Sequence, residues 1–380
     1  MTDPESYPNP DLTVGDDNKQ GWNQPRNRRA GFHNAHLIFR RCLMMRSRRV
    51  LKLSHEPDEF IRQRVARSKI TKGKEFSALV VADNGRILFE SHAKDFGPNL
   101  PHSIQSVTKM HIHLIMGQLI SEGLVQPDHT VAEYLPWIGT AYAAARVGQL
   151  LDMDVANDFS EDYDDPDADC YTEEEALGWR LPDGDRPEIS LKDFAAGLTG
   201  SDPANKTGFA DYKSANTDIL TLIAASVSPI PLSRHIEAIV DAAGYEGSFH
   251  ISLSPEGHPA FSGGGCLGAR DLARFGLLLA RGGQGVSGGV VGAAQFTALT
   301  LSRPAPQLSP TRPWMRYSNH VMTNGRWLGH AGYGGQFLMV DMKSGRAAAY
   351  LSVLENDSGY DEAYMCWIIR SLETILAASG

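Results

Sequence analysis

Ser106 and Lys109 stand three residues apart in Ser103-Ile104-Gln105-Ser106-Val107-Thr108-Lys109, at the mouth of the apolar run Met110–Met116. In a helix, positions i and i+3 share a face, so this S-x-x-K spacing brings a hydroxyl to an amine. A lysine that is buried and close to a positive dipole end is held neutral, and can take a proton from the serine. That makes an alcohol nucleophilic without a histidine. If Ser106 begins its helix, its backbone N–H is one of the unpaired donors of the first turn and can form one side of an oxyanion hole. The bland reading is an N-cap serine followed by a solvated lysine.

Two further segments could complete such a site. In Asp211-Tyr212-Lys213-Ser214-Ala215-Asn216-Thr217-Asp218, a tyrosine precedes the helical run Ile219-Leu220-Thr221-Leu222. Tyr212 is placed to shuttle a proton to a leaving group, with Ser214 as its hydrogen-bond support; otherwise Tyr212 is an anchor and Ser214 or Asn216 a cap. In Gly329-His330-Ala331-Gly332-Tyr333-Gly334-Gly335-Gln336, glycines precede a strand. They would let a ligand approach the backbone and let a strand N–H complete the oxyanion hole. The bland reading is a tight turn with a surface histidine.

Two other patterns carry less. His111-Ile112-His113 resembles a metal pair, but positions i and i+2 of a helix point in nearly opposite directions. The acidic run from Asp152 to Asp169 lacks the glycine and glutamate of an EF-hand loop, so a solvated loop is expected. Neither metal nor cofactor is expected.

The elements that must position these residues follow from pattern. Phe76–Val81 and Arg86–Glu90 flank Asn84-Gly85, a hairpin signal. Helical periodicity runs from 106 to 150, an irregular acidic stretch occupies 152–190, and helices resume at 191–198 and 214–227. A helix is expected over 269–279, strands over Gln336–Met342 and Arg346–Leu354, and a final helix over 359–377. The early and late strands must share a sheet, which makes the helical block an insertion. The expectation is an α+β (α/β sandwich) fold: residues 31–105 and 255–380 form an antiparallel sheet domain flanked by helices, 106–254 form a mainly helical region, and the site lies in the cleft between them. Residues 1–30, polar and rich in Pro, Asn and Asp, read as an extended arm. The basic segment from His36 to Leu51 reads as a helix or strand packed on the domain.

The chain has 380 residues, 42% hydrophobic and 21% charged, and a net charge of -9, which disfavours nucleic acid as a partner. Cys42, Cys170, Cys266 and Cys366 form no C-x-x-C pair and read as free thiols. No signal peptide or apolar span of about 18 residues is present, so a cytoplasmic protein away from membranes is expected. A homodimer is allowed.

In order and type, Ser106-x-x-Lys109, Tyr212-x-Ser214 and His330-Ala331-Gly332 resemble the three motifs of the penicillin-recognising serine hydrolases, which include class C β-lactamases, D,D-peptidases and carboxylesterases. The finer resemblance is to the nylon-oligomer (6-aminohexanoate-dimer) hydrolase branch. It runs from Gly21-Trp22-Asn23 to the C-terminus through Ser160-Glu161-Asp162-Tyr163, Gly178-Trp179-Arg180, Ser214–Asp218 and Ala269–Arg274. The resemblance implies a β-lactamase-like fold and a serine hydrolase acting on small amides or esters. Ser106 would be the acylated nucleophile, Lys109 its base, Tyr212 the acid for the leaving group, and Tyr163 a loop residue closing over the substrate. Ser214, His330, Gly332, Gly334 and Gly335 would line the substrate and oxyanion side. One departure stands out: where that branch resembles Gly-Ile-His-Gly-Gln, this chain has Gly332-Tyr333-Gly334-Gly335-Gln336. A silent binding protein on the same fold is the reading from another class.

Overall fold

In the computed structural model, residues 19–182 and 186–377 are described. Among these residues, twelve strands form two sheets: β1 Cys42–Arg46, β2 Ser54–His55, β3 Phe76–Asp83, β4 Arg86–His92, β5 His102–Ser103, β6 Ser248–Ser252, β7 Gly265–Leu267, β8 Arg316–Ser318, β9 Val321–Thr323, β10 Trp327–Gly332, β11 Gln336–Asp341 and β12 Arg346–Ser352. The larger sheet has the order β2-β4-β3-β12-β11-β10-β9-β8, and the smaller β1-β6-β7-β5.

The hairpin forms where Asn84-Gly85 predicts it. Both turn residues have positive φ (34° and 83°), which suits the right-handed twist of β3 and β4. The early and late strands pair as expected: β3 runs antiparallel to β12, with Val80 opposite Ala349. This central pair is buried on both faces, and its residues sort by the strand period of two. Ala78, Val80 and Ala82 of β3, with Ala347, Ala349 and Leu351 of β12, enter the core shared with helix Ala269–Ala280 and the helical block. Leu79, Val81, Ala348 and Tyr350 enter a second core, under helices Glu59–Ser68 and Glu362–Leu376. Apolar residues in succession, which alone do not distinguish strand from helix, here mark strands sandwiched between helical layers.

Helices Met110–Ser121 and Ser214–Val227 lie in the heart of the helical block and bury residues on all sides. His111 stacks between Phe249 and Phe275, while His113 reaches Asn319 O and Thr297 Oγ1, so the two imidazoles diverge.

Several expectations need correction. Residues 19–30 are not an extended arm: they hold helix Lys19–Trp22 and the start of helix Pro25–Ile38, which packs Phe32 against Trp22 and His102. The remainder of that expected arm, residues 1–18, lies outside the described residues. Composition hid this helix because its buried face is made of widely spaced Arg28, Gly31, Phe32 and Ala35 among polar neighbours. The acidic stretch contains helix Asp169–Ala176. The region 106–254 ends in β6, which pairs with β1 in a four-stranded sheet that was not foreseen, since strands of two and three residues such as β5 and β7 show no alternation.

The helix Ala269–Ala280 approaches the sheet at Gly276, where a Cβ would lie 2.6 Å from the Ala347 methyl. Gly276→Ala is expected to push this helix off β12 and cost about 1–3 kcal/mol, as overpacking does. A denaturant midpoint equal to wild type would contradict the close packing.

Candidate active site

The site is built where the helical block meets the edge of the larger sheet. Residues Gln105–Lys109 form a 3-10 turn that leads into helix Met110–Ser121. Gln105 has φ of 46°, an uncommon conformation for a side-chain-bearing residue, and its amide is tied to Ser103 Oγ at 2.7 Å. Backbone strain is thus stored one residue before Ser106. The turn ends with Lys109, which has no exposed surface.

The Lys109 ammonium meets three oxygens: Ser106 Oγ at 3.1 Å, Ser214 Oγ at 3.0 Å and the Ser262 carbonyl. Three acceptors match the three donors of a charged lysine; in the neutral amine, one contact becomes a lone pair facing Ser106. Burial pushes the lysine pKa below its ordinary value, opposed by the carboxylates of Glu161, Glu173 and Asp218. A neutral, proton-accepting Lys109 is therefore easier to reach than in water. Tyr212 flanks the pair, its ring 5.2 Å from the lysine nitrogen and its hydroxyl on the Ser106 side. Burial, with Glu161 nearby, raises its pKa well above the usual value, so the phenol keeps its proton.

Ser214 holds the lysine, not the tyrosine as expected. Its hydroxyl accepts from Lys109 and donates to Glu161 Oε1 at 2.8 Å, and its N–H donates to Glu161 Oε2 at 2.6 Å. Glu161 thus sits at the N-terminus of helix Ser214–Val227, where a carboxylate is favoured.

The third motif differs more. His330 is buried and faces away from the cleft: Tyr317 donates to its Nε2 at 2.9 Å, and its Nδ1–H donates to Ala331 O at 2.6 Å. Burial and the neighbouring Lys109 push its pKa down to about 3, so it stays neutral behind Tyr212. Along β10, side chains alternate sides, which turns His330 inward. Gly334 and Gly335 do not offer oxyanion donors: their N–H groups are spent on Gly359 O and Gly332 O in the turn between β10 and β11. Gly332 does line the cleft, and a Cβ there would come within 2.7 Å of Ile104 O. The end of β10 therefore packs directly on the Ser106 turn. The backbone N–H of Tyr333, which has no acceptor among the described residues, is the strand donor left at this edge.

The cleft has a volume of about 590 Å³ and is lined by Ser106, Tyr163, Tyr212, Gly332 and Tyr333 among others. Tyr163 lines the cleft, its ring 5.7 Å from that of Tyr333. The opposite wall was missed by the sequence reading. Lys19 is bonded to Glu174 and sits among the rings of Trp179, Tyr163 and Tyr333, at 5.1, 5.2 and 5.8 Å. Nothing in a polar N-terminal segment marks such a lysine. Glu161 could have been found, because it lies within Ser160–Tyr163. Among the described residues no cluster of three or more His, Cys, Asp or Glu side chains is arranged to hold a metal ion, and no single helix is long and apolar enough to cross a membrane.

A strained turn presenting Ser106 to a buried lysine and a protonated tyrosine, beside a sheet edge, is an arrangement suited to acyl transfer. The fold and the sequence place the chain in a family: the Beta-lactamase family model matches residues 58–364, and the chain belongs to that family. It is 34% identical over 220 residues to the 6-aminohexanoate-dimer hydrolase of Paenarthrobacter ureafaciens; the match covers 56% of this chain and about half, 54%, of that relative. Among solved structures, "Putative 6-aminohexanoate-dimer hydrolase from Bacillus anthracis" superposes with a TM-score of 0.78 at 17% identity, covering 97% of both chains. A D-stereospecific amidohydrolase from Streptomyces follows at a TM-score of 0.59 and 18% identity, covering 85% of this chain and all of the other. At such identities these structures speak to the fold alone.

If Ser214 supports the lysine, Ser214→Ala should slow reaction of Ser106 with a fluorophosphonate by about tenfold or more, the worth of a hydrogen bond to a charged group. The labelling rate of the wild-type protein should rise with pH along a limb whose midpoint lies below the usual lysine value of about 10.4. A midpoint at or above that value would exclude a depressed Lys109.

Proposed function

We propose that this chain is a serine hydrolase that opens small linear amide or ester bonds through an acyl-enzyme on Ser106. The observation that carries the reading is the buried Lys109 amine, 3.1 Å from Ser106 Oγ and in contact with Ser214 and Ser262. Neutral Lys109 takes the Ser106 proton as Oγ attacks the substrate carbonyl. The resulting oxyanion is received by the Ser106 and Tyr333 N–H groups. Tyr212 gives its proton to the departing nitrogen or oxygen and recovers one from the Lys109 ammonium, so amine or alcohol leaves and the acyl group stays on Ser106. Water, deprotonated along the reverse path, then releases the acid. Tyr163, which lines the cleft, would hydrogen-bond the scissile amide.

Amide cleavage is favoured by the relative from Paenarthrobacter ureafaciens and by the protonated Tyr212, because an amine needs a proton to leave and an alcohol needs it less. Ester cleavage is the second reading, since the same acyl-enzyme handles an easier leaving group.

Fluorophosphonate labelling should be lost in Ser106→Ala, and Lys109→Met should lower the labelling rate by about 10²-fold or more, the range for losing a positioned general base. Equal labelling of Ser106→Ala would end the proposal. Tyr212→Phe should slow hydrolysis of a 6-aminohexanoate dimer more than that of a p-nitrophenyl ester; equal slowing would remove Tyr212 as the leaving-group acid.

A further inference from the structure

Asp218 lies one helical turn beyond Ser214 on helix Ser214–Val227, and so on the same face. Its carboxyl is 1% exposed and meets Glu173 of helix Asp169–Ala176, which is 2% exposed. Among the described residues no hydrogen bond is completed at either oxygen of Asp218 or at Oε1 of Glu173, and the Ser262 hydroxyl, itself unpartnered, lies beside Asp218. Ser262 links this pair to the site, because its carbonyl accepts from Lys109. Two carboxyls that meet while buried do not both ionise, and a single proton between them supplies the missing donor. Burial is the main cause that raises both groups, Asp218 to about 6 and Glu173 well above the carboxylate range.

We propose that Glu173 and Asp218 share one proton and one negative charge, and act as a positioning pair that gives the Lys109 ammonium a fixed countercharge during acyl transfer. The inference rests on the reading of Ser106 and Lys109 given above. When the proton passes from Ser106 Oγ to Lys109 Nζ, a cation forms in a site closed to water, where a preset opposite charge is most effective. The proton held by the pair does not move, and the reaction's balance is unchanged.

The other groups facing Lys109 are already committed. Glu161 is bonded to the Ser214 N–H and hydroxyl, Lys19 to Glu174, and Tyr212 keeps its proton. His320 and His330 are held neutral by burial, and burial also raises the Cys170 thiol beside Glu173. Single amide replacements and the double replacement therefore differ in kind. Glu173→Gln or Asp218→Asn each leaves one carboxyl, freed of its neighbour's repulsion and able to ionise. Only the double variant removes the charge.

The test combines infrared spectroscopy with the pH dependence of Ser106 phosphonylation by a fluorophosphonate. Wild type at pH 8, a pH at which free carboxyls are ionised (usual values about 4), should show the carbonyl stretch of a buried protonated carboxyl, and Glu173→Gln/Asp218→Asn should lack it. The double variant should move the acid limb of phosphonylation down by about one pH unit, because losing a neighbouring negative charge lowers a lysine pKa. Each single variant should leave the limb in place. A wild-type spectrum without that band overturns the proposal and requires no variant to fold. So does a double variant with an unmoved limb, or a single variant that moves it as far as the double. Failure of wild type to label at Ser106 would instead remove the hydrolase reading, and the infrared band would still decide the shared proton.

Discussion

The arrangement depends on keeping one amine out of water. Lys109 is enclosed by the 3-10 turn that carries Ser106, by Ser214 at the head of a second helix and by the Ser262 carbonyl preceding β7. A buried lysine without partners would cost several kcal/mol, so the surrounding elements must supply oxygen acceptors from three distant parts of the chain. This requirement brings the N-terminal ends of helices Met110–Ser121 and Ser214–Val227 together at the cleft, where Lys109 meets Ser214. The low polarity that weakens the proton affinity of Lys109 also keeps Tyr212 protonated.

The larger sheet serves that site as a rigid edge. Its central strands are fixed by two cores on opposite faces, so the position of β10 is set far from the cleft, by residues such as Val80 and Tyr350. What β10 brings to Ser106 is mostly backbone. Gly332 allows the strand to close on Ile104, at the start of the turn that carries Ser106. Its histidine is structural, buttressing Tyr212 from behind through Tyr317.

Much of this was legible in the sequence where a single local rule governs the residue. The S-x-x-K spacing, the Asn84-Gly85 hairpin and the pairing of early with late strands each follow from short-range patterns or from one topological necessity. The illegible parts depend on contacts between segments far apart. The inward turn of His330 is decided by strand register, and the Gly334 amide is taken by a loop that closes on it at Gly359, while the Gly335 amide turns back onto Gly332. Ser214 was read as a partner for its neighbour in sequence, when its partner in space comes from residue 109. Lys19 and the Glu173–Asp218 pair gave no signal, since an isolated lysine and an acidic stretch are ordinary surface features until the fold buries them.

The cleft is assembled from pieces with different histories in the chain. The groups able to move protons come from residues 106 to 214, whereas the wall facing them is closed by Lys19 and its cage of Tyr163, Trp179 and Tyr333. That wall touches neither Lys109 nor Ser214 through any of its hydrogen bonds. Changes in the side chains of the wall can therefore accumulate without breaking the hydrogen bonds that hold Lys109 and Ser214. Such a division lets one scaffold exchange substrates by altering its first helix and one loop, so acceptance of new small molecules becomes an evolvable property of the periphery.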